Sequence, residues 1–159
     1  MQHLRSPRAI RSRFVTLRAP SFPSGVLRTS AARQRADSFW CLQAHVYAVY
    51  RDWLEKLIAP FVLPSVALVY GQQRGDDRTK YAEQQIFEKL FPAGPARVSD
   101  NYFCNNANAA VRRGLWQELP YDETLTGLED LAWAKAVGQR GLCVVYQGGA
   151  AVVHVHDKS

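Results

Sequence analysis

The sequence has no apolar stretch long enough to cross a membrane. Its longest hydrophobic runs, near Leu57 to Val69 and Leu142 to Val155, are cut by prolines, glycines or polar residues well short of the roughly 18 residues a span needs. Cysteine is scarce: Cys41, Cys104 and Cys143 form an odd set without metal-ligand spacing. That excludes a disulfide framework and points to a reducing compartment. Nothing places a histidine beside any of the three, so a catalytic thiol is not expected. Acids are almost missing from the first forty residues, which hold eight arginines and no lysine against the single acid Asp37. The rest of the chain holds twelve bases and thirteen acids, so the net charge of +6 belongs to one segment. It therefore gives no reason to read the remainder as a nucleic-acid binder.

Residues 1–40 also lack a sustained period of 2 or 3.6, carry prolines at 7, 20 and 23, and are expected to be a basic, poorly structured segment. An arginine- and serine-rich start resembles a transit peptide in composition, but no amphipathic stripe accompanies it. If this segment bound nucleic acid by itself, the binding would be strongly salt-dependent and would vanish on its removal.

From about Trp40 the texture changes, and residues 41–159 are expected to form one ordered unit. Arg51 to Phe61 spaces Trp53, Leu54, Leu57, Ile58 and Phe61 along one helical face, with Pro60 near its end. Val66 to Tyr70 predicts a buried strand, Gly71 to Arg78 a polar loop, and Thr79 to Phe91 a helix carrying Tyr81, Ile86, Phe87, Leu90 and Phe91. Asn105 to Val111 leads into a short helix around Leu115 to Leu119; a helix holding Glu129 follows, then two strands, Leu142 to Tyr146 and Ala150 to His156. Helices interleaved with short apolar strands, without internal repeats, predict an α/β sheet with helical cover.

Four groups of residues carry chemistry. Glu129 and Asp130 open a helix whose cap is expected from Thr126 and Gly127. A carboxylate in the first turn is favoured by exposed amides and the helix dipole, so Asp130 is expected to stay ionised and accept a proton from a hydroxyl; a plain capping acid has the same signature. Asn105, Asn106 and Asn108 alternate with alanines, a pattern that suits either sugar hydroxyls or a local turn network. His154 and His156, two apart on an expected strand, share a face and suit a divalent ion, a diphosphate or a bare edge strand. Arg74, just after a strand, is placed to meet a phosphate at the sheet's carboxyl edge, or to be an ordinary exposed arginine; Arg112 and Arg113 carry the same ambiguity.

In order and spacing, DWLEKLIAPF, VALVYGQQRG, FEKLFP, FCNNANAAVRRGLW, PYDETLTGLEDLAWAKAV and VVHVH, together spanning about residues 43 to 158, resemble glycosyltransferase family 2, in particular its rhamnosyltransferase-like members. The resemblance implies an incomplete GT-A fold, a Rossmann-like mixed sheet. The activity it implies is inverting transfer of a sugar from a nucleotide-sugar donor to the hydroxyl of a glycan or lipid-linked acceptor. By that resemblance Asp130 is the general base and Glu129 its acidic neighbour, Asn106, Asn108 and Gly127 line the acceptor and sugar pocket, and Arg74 contacts substrate. His154 or His156 lies near a divalent metal, Mg or Mn, and the diphosphate. Nucleic acid is not among the implied partners, and the implied setting is cytoplasmic, with peripheral association at the inner face of the membrane.

Two departures accompany the match. Nothing before residue 41 reads as the strand, turn and helix that bind the nucleotide in this family. At the place of its metal-binding acids stand Gln43, Ala44, His45 and Val46, so either His45 substitutes as a ligand or the diphosphate is balanced without that acid. The expectation is a shifted frame or start for residues 1–40 and a feeble or inactive isolated chain, which three-frame translation of the coding DNA and its upstream flank tests. The alternative is a noncatalytic remnant that binds saccharide or a partner protein.

Overall fold

The structure, a computed structural model, describes Phe14–Val15, Phe39–Gln43 and residues 46–154 apart from positions 78, 123 and 126. His45 and His156 lie outside the described residues, as do the side chains of the first two strands. In chain order the strands are β1 (Phe14–Val15), β2 (Phe39–Gln43), β3 (Val46–Ala48), β4 (Val66–Arg74), β5 (Ala96–Val98), β6 (Asn108–Arg112) and β7 (Cys143–His154). The α-helices are α1 (Trp53–Ile58), α2 (Tyr81–Leu90), α3 (Arg113–Glu118) and α4 (Glu129–Gln139), with 3-10 turns at Ala59–Val62 and Asp100–Tyr102. None of the described helices is long and apolar enough to cross a membrane.

The molecule is a mixed α/β structure around one mixed sheet of strand order β1-β2-β6-β4-β7-β3, with β5 also pairing β7. β4 is its central strand: Val66 to Gln73 are all buried, because both faces are covered. It runs parallel to β7 and antiparallel to β6. Side-chain alternation sorts two cores onto opposite faces. On one, Leu68, Tyr70, Ala109, Val111, Val144 and Tyr146 meet Trp133, Ala134 and Val137 of α4. On the other, Val66, Val69, Ala110, Val145 and Val152 meet Trp53, Leu57 and Phe61.

Several elements differ from expectation. The strand after Pro64 continues through Gly71, Gln72, Gln73 and Arg74, which sequence reading places in a polar loop. Buried amides carry it onward: Gln72 Nε2 donates to the Phe91 carbonyl at 3.2 Å and Gln73 Nε2 to Asn105 Oδ1 at 2.9 Å. The two strands expected at the end are one strand of twelve residues, β7, whose register with β4 shifts opposite Gly71 to Gln73. A bulge there lets Gly148 and Gly149 pass without breaking the ladder. β5, directly after Pro95, has no counterpart among the expected strands. Of the face expected on the helix after Thr79, Phe87 and Phe91 are buried but Tyr81, Ile86 and Leu90 are exposed, so α2 meets the body along a single line.

Candidate active site

The loop before β6 and the first turn of α4 meet at Asp130. Its Oδ2 accepts from the Asn106 backbone N–H at 3.2 Å and its Oδ1 from the Leu131 N–H at 2.8 Å. Two amides grip the carboxylate and set its direction. Burial nevertheless raises the Asp130 pKa above the ordinary carboxylate value, against those two bonds, and the charge of Glu129 pushes the same way. The first-turn placement is as expected, and desolvation, the largest influence on the pKa, acts against the first-turn amides. Cap chemistry also differs, because Leu128 occupies the N-cap without a side-chain bond. Gly127 stands one residue earlier at φ +79, a left-handed turn that suits glycine, and it is exposed. Thr126 lies outside the described residues.

Asn106 is the hub of the cluster. Its Oδ1 accepts from the Tyr121 hydroxyl at 3.0 Å, while its Nδ2 is buried with no hydrogen-bond partner among the described residues. Glu129 Oε2 is likewise buried without one. Buried polar groups are nearly always bonded, so a donor and an acceptor left open on two touching segments point to groups that meet a ligand. Tyr121, which sequence reading missed, is wedged edge-on between Trp116 and Trp133. Burial raises its pKa and keeps it a hydroxyl donor. Its only sequence signal was an aromatic between Pro120 and Asp122, which is common in loops. Cys104, beside this cluster, is also raised by burial and by the charge of Asp130, so it stays a thiol.

The approach to the loop is constrained. Asn101 and Tyr102 both adopt positive φ, 55 and 57, an uncommon pair for residues with side chains. The Tyr102 ring lies where a side chain at Gly138 would stand, so this turn is pressed against α4, the helix that carries Asp130.

Asn108 belongs elsewhere. It is fully buried, its Oδ1 accepts from Trp53 Nε1 at 2.9 Å, and its Nδ2 donates to the Gln72 and Ala150 carbonyls at 3.0 and 2.8 Å. With its carbonyl and both amide hydrogens engaged, it ties three strands and α1 rather than lining a pocket. Asn105 serves the turn reading, accepting from Ala107 N–H at 2.9 Å as well as from Gln73. Arg112 is structural too: Nε donates to the Val66 carbonyl and one terminal nitrogen to those of Phe61 and Leu63.

Arg74 ends β4 at the carboxyl edge of the parallel pair, where α/β folds bind ligands. Its Nε donates to Gln72 Oε1 at 3.0 Å, and the guanidinium lies 6.0 Å from the Tyr50 ring. It borders a cleft of about 450 Å³ between β4 and α2. His154, the last residue of β7, sits edge-on to Phe87 with ring centroids 5.9 Å apart. Of the three candidate metal ligands it is the one described, and among the described residues no three ligand-type side chains converge. No protein-family model matches the chain, and no curated protein matches it.

Proposed function

We propose that this chain is the acceptor side of a sugar-transfer domain of the glycosyltransferase family 2 type, with the sheet as an incomplete GT-A core. Asp130 removes the proton from an acceptor hydroxyl as the oxygen attacks the anomeric carbon of a nucleotide-sugar, with inversion and departure of the nucleoside diphosphate. The observation that carries this reading is the Asp130 carboxylate itself, aimed by the Asn106 amide and made more basic by burial. A base works best when its pKa approaches the working pH, and a fixed direction places it for proton transfer. Asn106 Nδ2, a buried donor without a partner, supplies a group to hold the acceptor oxygen. Glu129 adds negative charge beside Asp130 and keeps its proton affinity high.

The test uses the full chain with nucleotide-sugar donors, a divalent ion and sugar acceptors, with product read by mass spectrometry. Slow transfer is expected, and Asp130→Asn should lower it by roughly 100-fold or more, the scale of a lost general base. Equal turnover in the two proteins would remove Asp130 from the role.

A further inference from the structure

We infer that Tyr121 is a positioning residue for Asp130: its hydroxyl fixes the Asn106 carboxamide, and through Asn106 it sets where the carboxylate stands. Where the inference concerns transfer it rests on the reading of Asp130 as base; where it concerns geometry it does not. Asn106 lies 15 residues from Tyr121 and 24 from Asp130 in sequence. One asparagine thus joins distant segments, using its side chain for one and its backbone for the other.

The tyrosine ring is held from both sides. It lies edge-on to Trp116 of α3 and Trp133 of α4, with ring centroids 6.1 and 5.9 Å apart and planes at 74° and 78°. Both contacts have the geometry that aromatic pairs favour. Trp133 Nε1 also donates to the carbonyl of Leu119, two residues before Tyr121, which ties this loop to the helix that carries Asp130. Tyr121 is only 9% exposed, so its ring has little room to swing and its oxygen is a fixed point.

That fixed point is a donor. Burial and the nearby carboxylates of Asp130 and Glu129 keep the hydroxyl protonated, and it donates to Asn106 Oδ1 at 3.0 Å. The bond occupies the carbonyl end of the carboxamide and leaves the amide end, Nδ2, as the open buried donor. On its backbone side Asn106 donates its N–H to Asp130 Oδ2 at 3.2 Å. The other amide on the carboxylate, that of Leu131, is the next residue of α4 and comes with the helix. Asn106 belongs to a separate loop, so its N–H stands where the restraints on that loop put it. Tyr121 restrains it from the α4 side, and the neighbouring Asn105 is restrained from β4 by accepting from Gln73. A phenylalanine would fill the space between the tryptophans and give the asparagine nothing. The hydroxyl, not the ring, is the part that acts on Asp130.

Isotope-labelled full-length chain, without donor or acceptor, is titrated while the Asp130 carboxyl carbon is followed by NMR in the parent, Tyr121→Phe, Asn106→Ala and the double variant. Loosening an N–H that favours the charged form should raise the proton affinity of Asp130, by about threefold in Tyr121→Phe. Because the effect runs through the asparagine side chain, Asn106→Ala should do the same, and Tyr121→Phe should add nothing to it. A tyrosine that only packs would lower the melting temperature and leave the titration where it was; that result, or effects that add in the double variant, overturns the inference. Should the phenylalanine variant not fold, the parent decides. A slowly exchanging Tyr121 hydroxyl proton in through-space contact with the Asn106 carboxamide is expected, and a hydroxyl that exchanges freely with solvent sinks the proposal. In transfer, Tyr121→Phe should cost roughly tenfold, with the acidic limb of the rate displaced to higher pH. No transfer in the parent, together with the expected titration, would count against Asp130 as base and leave Tyr121 in its role. Full-rate transfer by Tyr121→Phe that still depends on Asp130, with an unmoved titration, would remove Tyr121 and leave the base.

Discussion

Single side chains separate function from stability in this protein. Asp130 is an acid whose folded-state pKa lies above its unfolded value of about 3.8, so between the two the folded state binds more protons. Stability therefore falls as pH rises from the unfolded value through the folded one, and the carboxylate weakens the fold at neutral pH. Asp130→Asn should accordingly melt no lower than the parent at pH 7 while losing the transfer proposed above, and the difference in melting temperature should shrink as the pH is brought below 3.8. Calorimetry across pH checks this; a variant that loses stability at pH 7 but not in acid would contradict it. The acidic limb of the transfer rate should lie above the ordinary carboxylate value for the same reason. Asn108 behaves in the opposite way. Removing its amide takes a buried partner from Trp53 Nε1 and from the Gln72 and Ala150 carbonyls. Asn108→Ala should cost about 3 kcal/mol or more, seen as a lower urea midpoint, at roughly 1 kcal/mol or more per orphaned group. Both residues sit in segments rich in polar side chains, and sequence could not tell the half-buried acid from the strut.

At the scale of elements, β4 is the strand that brings cleft and core together. Its apolar half, Val66 to Tyr70, was readable from β-branched residues between Pro64 and Gly71. Its polar half was not, because burial of Gln72 and Gln73 depends on partners far along the chain at Phe91 and Asn105. Gly71 is the joint between the halves. A Cβ there would run into the Ala150 carbonyl and the Asn108 amide, neither of which can move cheaply. Gly71→Ala is therefore expected to cost about 1–3 kcal/mol or more and to disturb the Trp53 environment, measured together by urea unfolding and tryptophan fluorescence. α4 was legible as a helix with Asp130 in its first turn, since its rhythm is local, but its cap was not. The outward face of α2 was misread for the converse reason: Tyr81, Ile86 and Leu90 have helical spacing, but spacing does not say whether anything lies opposite.

Across the whole molecule, the sheet separates two cores that share no side chains. Leu57 packs on one face and Trp133 on the other. Leu57→Ala should cost roughly 2–5 kcal/mol and Trp133→Ala roughly 3–5. Because the sheet lies between them, the double variant should equal the sum within about 0.5 kcal/mol. Urea unfolding of the four proteins measures this, and a large coupling would mean that the two faces are not independent.

By itself the sequence determined that strands and helices alternate, where the charge lies, and that an acid opens a helix near the end. Those properties follow from neighbours within one or two turns of chain. Tertiary structure decided which amide meets Asp130, that burial is the largest influence on its pKa, and that Asn108 is a strut. It also turned a polar stretch into the wall of a cleft. Each of these depends on desolvation and on hydrogen bonds between residues distant in sequence, which local pattern does not encode.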